Sequence, residues 1–287
     1  MSDSSEELPW DLVLPFSRVL EVCSPLIQGK DVVILQSLLR RYEGINLKVD
    51  GCFGADSAAA LKHFQSEEGI KPADGRLDPK TARHVLDVLM HDGYKDNGVI
   101  PTWAKFKIYA PVHRDRNIET TGVLYDNKGN SLLTFPIRSR GWRGKLNQEL
   151  NQLSTNGDSP TGLVTCDLNS KQPDPKLYGP YPCLRCVKGL KGNVAIGRDG
   201  FIGVDGPETF LSSYRSGILI HTGEYEDWEP GKPMPDSHGC FHVYPDDMKT
   251  IVDIMVEKLG VVVRDNPFGK RPYPYEPQGI MSIEQVD

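Results

Sequence analysis

Apolar positions along the chain pass from a helical to a strand period near residue 104, and that change divides it. After Asp31, placed to cap a helix, Val32, Leu35, Leu38 and Leu39 recur on one helical face. A second helix starts near Asp56 and buries Ala60, Leu61 and Phe64. Pro79 suits the first turn of a third, with Ala82, Val85, Leu86 and Leu89 on its inner side. Asp50-Gly51 and Asp74-Gly75 mark turns between them. Residues 25–90 therefore read as a small three-helix bundle. An arm, 1–24, precedes it with Trp10, Leu12, Val13, Leu14 and Phe16 as an apolar patch. Residues 91–103 read as a linker. From Phe106 the spacing drops to two: Lys107-Ile108-Tyr109, Gly122–Tyr125, a turn at Asp126–Asn130, then Ser131–Ile137. Gly217–Gly223 is an apolar run that reads as a buried strand ending on His221. Met248, Ile251, Val252, Met255 and Leu259 give a helix opened by Pro245-Asp246-Asp247 and stopped by Gly260. Val261-Val262-Val263 reads as a last buried strand. The expected fold class is α+β with two domains, the bundle followed by a mostly β unit over 104–265. A Pro-rich tail, 266–287, is expected to be extended and docked by Phe268, Tyr273 and Tyr275.

Two stretches, 140–158 and 166–200, are polar or rich in Gly and Pro and read as long loops. Trp142, Tyr178 and Tyr181 within them are candidates to line a groove; loop aromatics also serve simply to pin a loop down.

Composition changes this picture little. The 287 residues carry a net charge of −6, which gives no reason to expect a nucleic-acid or basic membrane surface. No apolar run reaches membrane-spanning length. Met1–Glu7 is acidic and polar, without the basic start and apolar core of a secretory leader. The six cysteines lack the spacing of a disulfide-stapled domain, and Cys183-Leu184-Arg185-Cys186 is a single CxxC in a loop-like context.

The candidate chemistry is concentrated in Ser237-His238-Gly239-Cys240, with His221 upstream across fifteen residues. Cys240 can supply a thiolate nucleophile. On an extended segment His238, two residues earlier, faces the same side and can take its proton. Gly239 lets the backbone approach a substrate closely. A metal reading competes, because His238, Cys240 and His242 alternate and His221 is near. On a straight strand the outer two lie roughly 13 Å apart, whereas a zinc ion needs its donors within about 2.0–2.3 Å. No metal or cofactor is therefore expected, and His242 reads as a packed or substrate-side residue.

The histidine, the spacer, and Ser237-His238-Gly239-Cys240 followed by Phe241 resemble the L,D-transpeptidase (YkuD-like) catalytic domain. Ser159-Pro160-Thr161-Gly162 resembles that family's Thr-Pro-x-Gly segment. Val32-x-x-Leu35-Gln36-x-x-Leu39, Asp50-Gly51-x-Phe53-Gly54, Ala60-Leu61-x-x-Phe64-Gln65 and Asp74-Gly75 resemble the three-helix peptidoglycan-binding domain. Many transpeptidases of the family carry Arg two residues after the cysteine, where this chain has His242. The resemblance implies a YkuD-like sandwich, a peptidoglycan or muropeptide partner, and acyl transfer on stem peptides through Cys240 with loss of D-alanine. It implies His238 as base and His221 as a substrate-positioning or charge-stabilising residue, with Ser237 orienting His238. Cross-linking, carboxypeptidase and exchange outcomes stay open, as do an inactive wall-binding protein and a zinc hydrolase. The implied substrate lies outside the cytoplasm although no leader is seen, so the compartment stays open, and the sequence is silent on oligomeric state.

Overall fold

The helical periodicities become three helices. In the computed structural model, which describes residues 8–196, 217–224, 228, 231–270 and 273–287, α1 spans Lys30–Leu39, α2 Ala55–Glu67 and α3 Pro79–Leu89. Asp78 caps α3 by accepting a hydrogen bond from Thr81 N at 2.7 Å. The cap of α1 differs from expectation. Gly29 holds that position, and Asp31 is the second residue of the first turn, paired with Arg18 at 2.7 Å. A short ribbon, β1 (Ile27–Gln28) against β2 (Cys52–Phe53), ties α1 to α2. Two buried glutamines fix the Asp-Gly turns. Gln36 Oε1 accepts from Asp50 N and Gly51 N at 3.0 and 2.9 Å, and Gln65 Oε1 accepts from Gly75 N at 2.7 Å. At Gly75 φ is +77° and a Cβ would stand 2.5 Å from Ala58 O, so only glycine fits that turn. Val13, Phe16 and Leu20 of the arm are buried in the bundle core.

The period-two segments build one eight-stranded sheet. Its strands are β3 (Phe106–His113), β4 (Thr120–Asp126), β5 (Ser131–Ile137), β6 (Gly162–Asn169), β7 (Cys183–Lys191), β8 (Leu219–His221), β9 (Phe241–His242) and β10 (Gly279–Val286). The order is β5-β4-β3-β10-β6-β7-β8-β9, with β10–β3 and β8–β9 parallel and the other pairs antiparallel. Just past β5, Arg138 and His242 exchange backbone hydrogen bonds of 3.1 and 2.8 Å, so the two outer edges meet. A one-turn helix, α4 (Pro175–Tyr178), lies between β6 and β7. α5 (Pro245–Asp253) runs on into a π turn and sets Met248, Ile251, Ile254 and Met255 into the sheet's core. The protein is thus α+β, with a helical N-terminal domain and a mostly sheet second domain.

Three expectations are corrected. The Pro-rich segment ends in β10, a central strand, while Phe268 is 80% exposed and docks nothing. Tyr273 does dock, donating to Asp167 Oδ2 at 2.9 Å. Val261-Val262-Val263 forms no strand: only Val261 is buried, because the sheet position beside β6 is taken by β10. The stretch 166–200 is not a loop; 166–191 holds the second half of β6 and all of α4 and β7, and 197–200 lie outside the described residues.

The two domains are joined by packing as well as by chain. Leu153 and Ile196 of the sheet domain are buried in the bundle's core. Gln148 and Asn151 donate to Asp11 O and Leu14 O, each at 2.6 Å. Residues 91–103 lie against the sheet: Tyr94 Oη meets Ser282 Oγ at 2.8 Å, and Asp96 grips the buried Lys107 at 2.7 Å.

Candidate active site

Alternation along β7, β8 and β9 sorts the sheet into two faces. Leu184, Ile220 and Phe241 align across the three strands and point into the core. His221 and His242, paired across β8 and β9, therefore point the other way. Their rings meet edge to face at 4.7 Å. Trp228 stands 4.4 Å from His242 and 6.3 Å from His221, and Tyr178, at the end of α4, stands 4.9 Å from His221. All four rings form one aromatic box.

Burial decides the charge state of this box. It lowers His221 to about 4, so the ring is neutral at pH 7. His242 is pushed well below the ordinary histidine value, by burial first and by His221 second. His221 Nδ1 lies 2.9 Å from Thr222 O, which can only accept, so Nδ1 carries the proton and Nε2 keeps a lone pair. His242 Nδ1 is held in the same way by Pro235 O at 2.9 Å. Tyr178 is raised, by burial first and then by the Cys240 charge.

Ser237-His238-Gly239-Cys240 is a braced bend rather than the extended segment expected. Ser237 N donates to Arg140 O at 2.8 Å. Its hydroxyl lies 2.9 Å from Arg140 O and 2.8 Å from Cys240 O, and its single proton serves one of them at a time. The same oxygen accepts from Gly239 N at 3.0 Å. Gly239 has φ +104°. Ser159 Oγ donates to Gly239 O at 2.5 Å and hydrogen-bonds the Ser139 hydroxyl. Strand geometry begins only at Phe241, so alternation does not place His238 and Cys240 on one side. His238 is exposed, and its ring lies 5.1 Å from that of Trp142. Cys240 is half-buried, with Sγ 3.5 Å from Gly217 O.

The expected residues thus fall into two groups. His221, His242 and Tyr178 share the box, and Cys240 enters the strand beside it. His238 and Trp142 stand together on the exposed side. Tyr181 is half-buried and packs on the sheet core, which pins α4 to β7. Ser139, Ser159, Arg140 and Trp228 were not singled out from sequence. Of these, Ser159 alone had a local signal, the Ser159-Pro160-Thr161-Gly162 turn. Trp228 packs so close to Gly223 in the fold that a Cβ there would stand 2.0 Å from its Nε1. Cys183 and Cys186 are buried free thiols within β7, and burial pushes Cys183 up to about 12. Among the described residues no group of three or more His, Cys, Asp and Glu is arranged to hold a metal ion.

A family model described as "L,D-transpeptidase catalytic domain" (YkuD) matches residues 116–263, and one described as "Putative peptidoglycan binding domain" matches residues 28–85. No curated protein matches the chain. Among solved structures, an L,D-transpeptidase from Xylanimonas cellulosilytica is 15% identical, covering 92% of this chain and 100% of its own, with a TM-score of 0.28. One from Stackebrandtia nassauensis is 13% identical, covering 92% and 94%, with a TM-score of 0.30. Bd1075 of Bdellovibrio bacteriovorus is 15% identical over 64% of this chain and 50% of its own, with a TM-score of 0.35. Overlays this loose carry no argument.

Proposed function

The chain belongs to the family of L,D-transpeptidase catalytic domains, enzymes that modify peptidoglycan, and on that premise we propose that it works by acyl transfer through a thioacyl enzyme on Cys240. The carrying observation is the braced bend that delivers a half-buried thiol to the strand next to a buried, neutral histidine. Cys240 Sγ attacks the carbonyl after the third residue of a stem tetrapeptide. The C–S bond forms, the C–N bond to D-alanine breaks, and the thiol proton passes through a histidine to the departing amine. The Cys240 backbone N–H is positioned in sequence to serve the oxyanion.

Two histidines compete for the proton. The sequence pattern favoured His238, on the premise of an extended segment. Burial and tautomer favour His221, whose Nε2 lone pair is available at pH 7 and whose ring is held by Thr222. We assign the proton transfer to His221 and the substrate-facing side to His238 and Trp142. An amine of a second stem then gives a cross-link, water gives a carboxypeptidase, and a free D-amino acid gives exchange. Residues 28–85 would hold the wall polymer near the site, raising its effective concentration.

The test is direct. Tetrapeptide muropeptides are expected to release D-alanine and to leave an adduct on Cys240 detectable by mass spectrometry. Release that survives Cys240→Ala would defeat the mechanism.

A further inference from the structure

Between α3 and the sheet domain lies a cleft of about 720 Å³. Asp87 and His91 line its helical side, and Arg114, Arg116 and Asp158 line its sheet side. Arg116 belongs to the connection between β3 and β4. Its neighbours Asp115 and Asn117 are exposed, yet Arg116 turns inward and is only 8% exposed. A buried guanidinium ordinarily spends its donors on a carboxylate or on carbonyls. Arg116 Nη1 is buried and has no hydrogen-bond partner among the described residues. Asp158 Oδ2 stands 4.0 Å from its Nε, beyond hydrogen-bond distance, and Asp158 Oδ1 accepts from Gly141 N at 2.8 Å. One arm of the guanidinium, Nη1, is therefore held at the wall of a cleft without an acceptor among the described residues.

We propose that this interdomain cleft binds an oxyanion, a carboxylate or a phosphate, with Arg116 as the inner donor and Arg114 at the rim. A guanidinium presents a planar fork that fits either anion in bidentate fashion. The volume is far larger than a lone anion needs, so the group is carried on something the size of a peptide or sugar, touching both domains. The cleft wall also connects to the bend before Cys240: Asp158, between β5 and β6, holds Gly141, and the preceding Arg140 carbonyl braces Ser237. The cleft is separate from Cys240, so the proposal stands whether or not the acyl-transfer reading does.

Calorimetric titration of the full chain at fixed ionic strength tests it. The probes are inorganic phosphate, a stem tetrapeptide with free carboxylates, and the same peptide as carboxamides. The signal assigned to the cleft is the part lost on substitution there. Arg116→Gln is expected to weaken phosphate or carboxylate binding about tenfold or more, and Arg114→Gln about threefold, with Cys240→Ala leaving it unchanged. Preference for phosphate points to a phosphate polymer, and preference for the free-acid peptide to a wall peptide. Should Arg116→Gln not fold, Arg114→Gln decides alone. The proposal is overturned by no saturable response to either anion, by a response untouched in the arginine variants, or by cleft binding of the carboxamide equal to that of the free acid.

Discussion

A histidine that burial keeps neutral down to about pH 4 can accept a proton at any pH above that value. The acid limb of kcat/KM on a tetrapeptide is therefore expected near pH 4. A limb near 6.5, the ordinary histidine value, would assign the step to another histidine. His221→Ala should lower turnover about 10²–10⁴-fold and slow alkylation of Cys240, while His238→Ala leaves alkylation within a few-fold. The same burial makes stability depend on pH. His221 is depressed in the folded state, so between pH 6.5 and about 4 the unfolded chain binds more protons. The stabilisation is complete above 6.5 and is lost as pH falls through 4, by up to about 1.4 kcal/mol per pH unit. His242 acts in the same sense. Urea unfolding at pH 7 and pH 4.5 measures the difference. Ser237→Ala removes the acceptor of Gly239 N and should cost about 1–3 kcal/mol, read from the same curves. At this scale the candidate residues Cys240, His238 and His221 stood out in the sequence, because potentially reactive side chains are conspicuous when they cluster in a few positions. Ser139 did not, and Ser159 stood out only as the start of the Ser159-Pro160-Thr161-Gly162 turn, not as a brace. A hydroxyl that braces a loop eighty residues away looks like any other serine until the chain is folded.

Elements were legible in proportion to how local their causes are. α3 announced itself through Pro79 and one apolar face, all within a dozen residues. β9 is two residues long, too short for any periodicity, and exists because β8 and Arg138 flank it. β10 failed for another reason. Its first five residues are buried on both faces, so the alternation that marks a half-exposed strand is missing, and the prolines before it suggested a tail. Its central place gives a sharp expectation. Met281→Ala should cost about 2–5 kcal/mol, although residue 281 lies 41 positions after Cys240 in sequence. Thermal or urea unfolding of that variant, with Val262→Ala as an exposed control, measures it.

At the scale of the molecule, the change of period near residue 104 made two domains legible. Their docking was not, because Leu153 and Ile196 sit in stretches that read as loops. That contact alters how the helical domain should be tested. Removing residues 1–90 exposes both side chains, so the truncated protein is expected to unfold at lower temperature as well as to act more weakly on sacculi. Activity on a soluble muropeptide is the control that separates the two effects. Retained activity on the soluble substrate with a loss on sacculi supports wall binding by the bundle. Equal activity of full-length and truncated protein on sacculi counts against it.

The position of β10 also bears on how the protein is made. The strand that joins β3 to β6 leaves the ribosome well after both of them. At about 5–20 residues per second, roughly 7–30 s pass between the end of β5 and the end of β10. During that interval the helical domain has all its residues, while β3, β4 and β5 wait with one edge unpaired. Cys240 emerges before the strand that closes the sheet, so the nascent chain carries that thiol on an unfinished sheet until β10 is made.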